Sequence, residues 1–187
     1  MQGYALVDGV QRYLPTSRGF DHFHGTPATH CESCGGWPPE PVFLDDDIVG
    51  RLDCALPPAQ PATLSVPSPP LSSPHAAVTV PVPTDTWFHN MGTSNLTQSY
   101  AAFGGDFIAR AAAAHKPWLL YAAFDNTHDG LYYNRNYSRA SRRGPIGDAT
   151  MELDWAVGVL MAAVRGHGQA SDTTVWFAGV SDTLVAG

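Results

Sequence analysis

The feature that most constrains this chain is the apolar run Trp118-Leu119-Leu120-Tyr121-Ala122-Ala123-Phe124, which opens directly onto Asp125-Asn126-Thr127-His128. A short apolar run bounded by polar turn residues reads as a buried strand. Lys116-Pro117 introduces it, and a proline at that point stops a preceding helix and favours extended chain. Upstream, a helix is predicted from about Ser94 to Ala114. Leu96, Tyr100, Phe103, Phe107 and Ala111 fall there at steps of four, three, four and four, which places them on one face. Gly104-Gly105 weaken this helix and the alanines after them restore it.

Downstream the pattern repeats. A second helix is predicted from about Asp148 to Val164, with Leu153, Val157, Leu160, Met161 and Val164 on its buried face and Asp148 or Thr150 near its start. Gly166-His167-Gly168 ends it, and Thr173-Thr174-Val175-Trp176-Phe177 reads as a second buried strand. Helix, strand, helix, strand implies an α/β fold with a mostly parallel sheet flanked by helices and joined by right-handed crossovers. In such sheets ligands bind beyond the carboxyl ends of the strands, which directs attention to His128.

The interval 38–86 reads differently. Pro38-Pro39-Glu40-Pro41, Pro57-Pro58, Pro67, Pro69-Pro70, Pro74, Pro81 and Pro83 forbid long helices, so an irregular region is expected, with short extended pieces such as Ala77-Val78-Thr79-Val80. Within it, Asp45-Asp46-Asp47 is a tempting metal cluster that reads better as a solvated acidic turn.

At 187 residues and 44% hydrophobic the chain can bury one core. A net charge of −7 with only 10 Lys and Arg argues against a nucleic-acid partner. No stretch approaches the roughly 18 to 20 apolar residues that span a bilayer. Met1 to Asp8 lacks the basic start and apolar centre of a secretory signal. Asn95-Leu96-Thr97 and Asn136-Tyr137-Ser138 are glycosylation sequons that lean toward a lysosomal or secreted protein. The three cysteines leave two readings open. Cys31-Glu32-Ser33-Cys34 has the spacing of half a zinc site, with His24, His30 or Cys54 to complete it; the other reading is a disulfide among Cys31, Cys34 and Cys54.

The order of motifs resembles the sulfatase family, in its arylsulfatase A type, within the alkaline-phosphatase-like superfamily. The resemblance is carried by the strand ending in Thr127-His128, the arginine-bearing loop, and Gly147-Asp148-Ala149-Thr150-Met151-Glu152-Leu153-Asp154. Upstream it is carried by Leu14-Pro15, Gly19-Phe20-Asp21-His22-Phe23-His24-Gly25 and Pro27-Ala28-Thr29-His30. It runs from about Tyr13 to about Phe177 and implies a partial sulfatase catalytic domain over 1–187. It also favours the disulfide over the zinc.

By that resemblance the chemistry is sulfate-ester hydrolysis, in which a formylglycine made from cysteine attacks sulfur beside a calcium ion. His128 then corresponds to a histidine that contacts the sulfate, and its cationic ring donates a charge-assisted hydrogen bond. Thr29 falls where the family has a serine near the substrate, with His30 or His22 able to serve nearby. The ligand is a sulfated small molecule or glycan.

Three departures set the expectation for activity. No cysteine here lies in a Cys-x-Pro-Ser-Arg motif, so the formylglycine cysteine is absent. The paired aspartates and the Gly-Lys-Trp-His-Leu-Gly segment are also absent. Where the family has Thr-Ala-Asp-Asn-Gly after the last strand, this chain reads Ala178-Gly179-Val180-Ser181-Asp182, so most calcium ligands are missing. The domain is therefore expected to be incomplete and not to turn over alone. The alternative is a non-catalytic module in which His128, Thr29, Arg139, Arg142 and Arg143 hold a sulfated or anionic glycan.

Overall fold

The computed structural model describes residues 10–27, 40–52, 62–67, 77–82, 96–127, 133–137 and 139–179. Thr29, His30, His128, the three cysteines, Val180, Ser181 and Asp182 lie outside the described residues.

Two helices carry the core. α1 spans Leu96–Ala114 and α2 spans Gly144–Gly166. α1 agrees with the helical period, while α2 starts earlier than predicted, with Pro145 in its first turn, where the missing N–H costs nothing. The faces that bury share only Leu96 and Val164 with the predicted stripes. α1 buries Leu96, Thr97, Gln98, Ala101, Gly104, Gly105 and Ile108; α2 buries Gly147, Asp148, Ala149, Glu152, Ala156, Val159 and Val164. Small residues let the two helices approach. A Cβ added to Gly104 would lie 2.7 Å from Leu160 Cδ2, so the glycine that weakens α1 in isolation permits its contact with α2. Ala101, Ala156 and Val159 form the closed centre, with Phe124 and Trp155 packed against it.

The aromatic stripe on α1 serves a second contact. Tyr100 meets Phe124 at 6.4 Å between ring centroids and Phe107 meets Trp118 edge-on at 6.2 Å. Trp118, Leu120 and Phe124 are part-buried while Leu119 and Tyr121 are exposed, an alternation that puts one side of this run against α1. Yet neither the Trp118 to Phe124 run nor the Thr173 to Phe177 run is a strand, contrary to expectation. Leu119 is 74% exposed and Trp176 88%. A segment becomes a strand only when a neighbour takes its N–H and C=O groups, and among the described residues neither run has one.

The described strands are antiparallel rather than parallel. β1 (His24–Gly25), β2 (Glu40–Leu44) and β3 (Asp47–Leu52) form one sheet in that order; β4 (Ala62–Pro67) and β5 (Ala77–Val82) form a two-stranded sheet. Among its described residues the interval 38–86 holds four strands: β5 contains the extended piece expected at 77–80, while β2, β3 and β4 stand where irregular chain was expected. Its prolines are placed where a ladder tolerates them. Pro67 and Pro81 lie in a two-stranded sheet whose strands are both edges, and Pro41 lies beyond the two residues of β2 that pair with β1. Asp45 and Asp46 make the tight β2–β3 turn, in which Asp45 takes a left-handed φ of 53°. No described helix is long and apolar enough to cross a membrane.

Candidate functional site

Described residues that flank His128 in sequence converge on α2. Asp148 and Glu152 are one helical turn apart on the same face as Ala156 and Val159, so two carboxylates point into what is otherwise core. Each is met by donors. Asp148 accepts from Arg139 N at 2.8 Å and from Ser141 N at 2.7 Å, pinning the loop that carries Arg139, Arg142 and Arg143 across the N-terminus of α2. Ser141 Oγ in turn accepts from Arg143 N at 3.0 Å.

Glu152 is 1% exposed and gathers three segments. Its Oε1 accepts from Gln98 Nε2 at 2.5 Å and its Oε2 from Asn126 Nδ2 at 3.1 Å, while Asn134 N lies 3.2 Å from both oxygens. Asn126 is oriented from the other side, because Thr97 Oγ1 donates to its Oδ1 at 2.8 Å. Asn134 Oδ1 accepts from Asn136 N at 3.0 Å, which closes the single turn Arg135–Tyr137.

Burial sets the electrostatics. It pushes the Glu152 carboxyl up to about 7, against the downward pull of its bonds to Gln98, Asn134 and Asn126. Tyr137 is raised by burial and then by the Glu152 charge; Tyr133 is raised by burial and then by Asp148.

A second cluster lies on β1. His24 Nδ1 bonds to Phe43 O at 2.9 Å, and because a carbonyl only accepts, Nδ1 carries the proton and Nε2 accepts from Ser99 Oγ at 2.5 Å. Tyr100 and Phe103 flank the ring, and burial lowers its pKa despite the Phe43 bond. His22 faces Phe107 edge-on and lies 3.4 Å from Asp45 Oδ2.

The divalent cation implied by the resemblance finds no donor set here. Among the described residues no three His, Cys, Asp or Glu converge. Two of the three tempting aspartates are engaged: Asp45 Oδ1 accepts from Phe23 N at 2.9 Å and Asp46 Oδ1 from Thr16 Oγ1 at 2.6 Å. The described residues do not fit calcium.

Comparison with known proteins decides the family. The sulfatase family model matches residues 8–182. The chain belongs to the sulfatase family. Among relatives, N-acetylgalactosamine-6-sulfatase of Sus scrofa is 32% identical over 168 residues, which is 89% of this chain and 27% of that protein. Arylsulfatase A of Homo sapiens is 32% identical over 169 residues, 88% of this chain and 29% of that protein. Steryl-sulfatase of Rattus norvegicus is 37% identical over 81 residues, 43% of this chain and 14% of that protein. This sulfatase-family chain thus spans less than a third of the length of these relatives. Membership implies an α/β fold of the alkaline-phosphatase-like kind; a parallel sheet is not among the described strands.

Sequence reasoning identified the motif around Asp148 and Glu152 as a family signature but not as the hub of a buried network. The signal was present. Asp148, Glu152, Ala156 and Val159 step by four, four and three, so a core stripe begins with two carboxylates that need partners.

Proposed function

We propose that residues 1–187 form part of a sulfatase catalytic domain whose ligand is a sulfated small molecule or glycan. In this reading the cationic His128 ring donates to a sulfate oxygen and the Thr29 hydroxyl lies alongside. The observation that carries the proposal is the family match over 8–182, which includes both positions. It is supported by the network that holds Asn126 and Asn134 on either side of the His128 segment. Hydrolysis by these residues alone is not expected, because the sequence lacks the Cys-x-Pro-Ser-Arg that would supply the nucleophile. The sequon at Asn136, an exposed residue, favours a lysosomal or secreted setting.

A second reading, a non-catalytic module for anionic glycans, is favoured by the exposed Arg139, Arg142 and Arg143 on the loop that Asp148 pins. Titration of the purified chain with an aryl sulfate tests both. We expect binding that His128→Ala abolishes, and no release of phenol. Turnover lost in His128→Ala overturns the non-catalytic half, absence of binding overturns the site, and binding that survives His128→Ala but falls with salt selects the arginine loop.

A further inference from the structure

Asn126 and Asn134 bracket residues 127–133, so both ends of the segment containing His128 bond to one carboxylate. The contacts all run one way. Gln98, Asn126 and Asn134 each present a donor, which an ionised carboxylate can satisfy with its two oxygens and a carboxamide cannot. The donors are themselves fixed, since Thr97 holds Asn126 Oδ1 and so turns Nδ2 toward Glu152 and Ala149 O. Keeping a carboxylate in a site this dry is unfavourable by desolvation, and apolar residues of like volume are often more stabilising in such places.

From this geometry we propose that Glu152 is the positioning residue of the sulfate site, one buried carboxylate that fixes Asn126 and Asn134, the two described residues that flank His128 in sequence. Glu152 touches no substrate in this account; it acts through Asn126 and Asn134. The inference rests on the reading that His128 contacts sulfate, but its test does not.

The test is hydrogen exchange and ring-proton nuclear magnetic resonance on the full chain carrying Glu152→Gln, at pH 8, where the native Glu152 is ionised. Either orientation of the carboxamide sets an NH2 group against a donor. One buried hydrogen bond to a charged acceptor is lost, so exchange at Asn134 N should rise about tenfold or more. Residues 101–112 of α1 should exchange as before. The His128 ring resonance should move, while that of His167, beyond the end of α2, should not. Rescue is the sharper readout. Combining Glu152→Gln with Gln98→Glu lets the new carboxamide donate to the new carboxylate and return its oxygen to Asn126 and Asn134, so both signals should recover. Should Glu152→Gln fail to fold, Asn126→Ala frees one end only. It should shift the His128 ring and leave Asn134 protected. An unmoved His128 ring in these variants, or a loss that the double variant does not restore, overturns the proposal. Failure of the chain to bind an aryl sulfate would sink the functional reading and leave the exchange result standing.

Discussion

Two glycines of α2 should respond to the same substitution with opposite sign. At Gly158 an added Cβ meets nothing within 4 Å, so Gly158→Ala collects only the helix-propensity gain of about 1 kcal/mol. At Gly147 the added Cβ would lie 2.0 Å from Ser141 Oγ, 2.7 Å from Ser141 Cβ and 2.9 Å from Arg143 Cβ. A hydroxyl can rotate away; the two Cβ atoms move only with their backbone. The displaced loop is the one whose Arg139 and Ser141 amides bond Asp148. Loss of one such bond costs about 1.5–3 kcal/mol and overpacking about 1–3 kcal/mol. Set against the propensity gain of about 1 kcal/mol, Gly147→Ala should destabilise by about 1.5–5 kcal/mol. Urea unfolding followed by far-ultraviolet circular dichroism reads the difference. With a slope of about 2 kcal/mol per molar urea, the midpoint should rise by about 0.5 M in Gly158→Ala and fall by about 0.8–2.5 M in Gly147→Ala. A Gly147→Ala protein as stable as the unmodified chain would refute the close packing of the loop on α2.

Two pH dependences run in opposite directions. Glu152 is raised to about 7, so the native state holds a proton that the unfolded chain releases near its ordinary value. Its contribution is therefore complete below that ordinary value and is lost as pH rises through 7, about 3 kcal/mol in all; urea midpoints across pH 5 to 8 should flatten in Glu152→Gln. His24 is held below 6.5 by burial, so the unfolded chain protonates first. That contribution is present above 6.5 and is lost as pH falls through the folded value, and His24→Gln should reduce the loss of stability between pH 7 and 5.

The helices were legible because helical periodicity is local, and the observed α1 begins within two residues of the predicted start. Their buried faces were not. A hydrophobic ranking prefers Leu153 to Glu152 and Phe107 to Gly104, yet burial follows what the partner presents, and α1 and α2 meet through their small residues. The two apolar runs carry strand composition, but a ladder needs a second segment that no local pattern supplies. Proline density in 38–86 excludes helices, and the extended piece expected at 77–80 lies in β5; β2, β3 and β4 were not legible because a strand is made by its pairing and not by its composition.

The order of the chain's motifs was enough to indicate the sulfatase family, and its composition enough to argue against nucleic acid as a partner, because both are properties of residues taken in sequence. The network around Glu152 belongs to the tertiary structure alone. Gln98 and Glu152 are 54 positions apart, and only the packing of α1 on α2 brings a buried carboxylate within reach of that amide, of Asn126 and of Asn134. The physical reason is desolvation: a polar residue at a helix position is unremarkable in water, and becomes a structural hub only once folding removes the water and obliges every donor to find an acceptor.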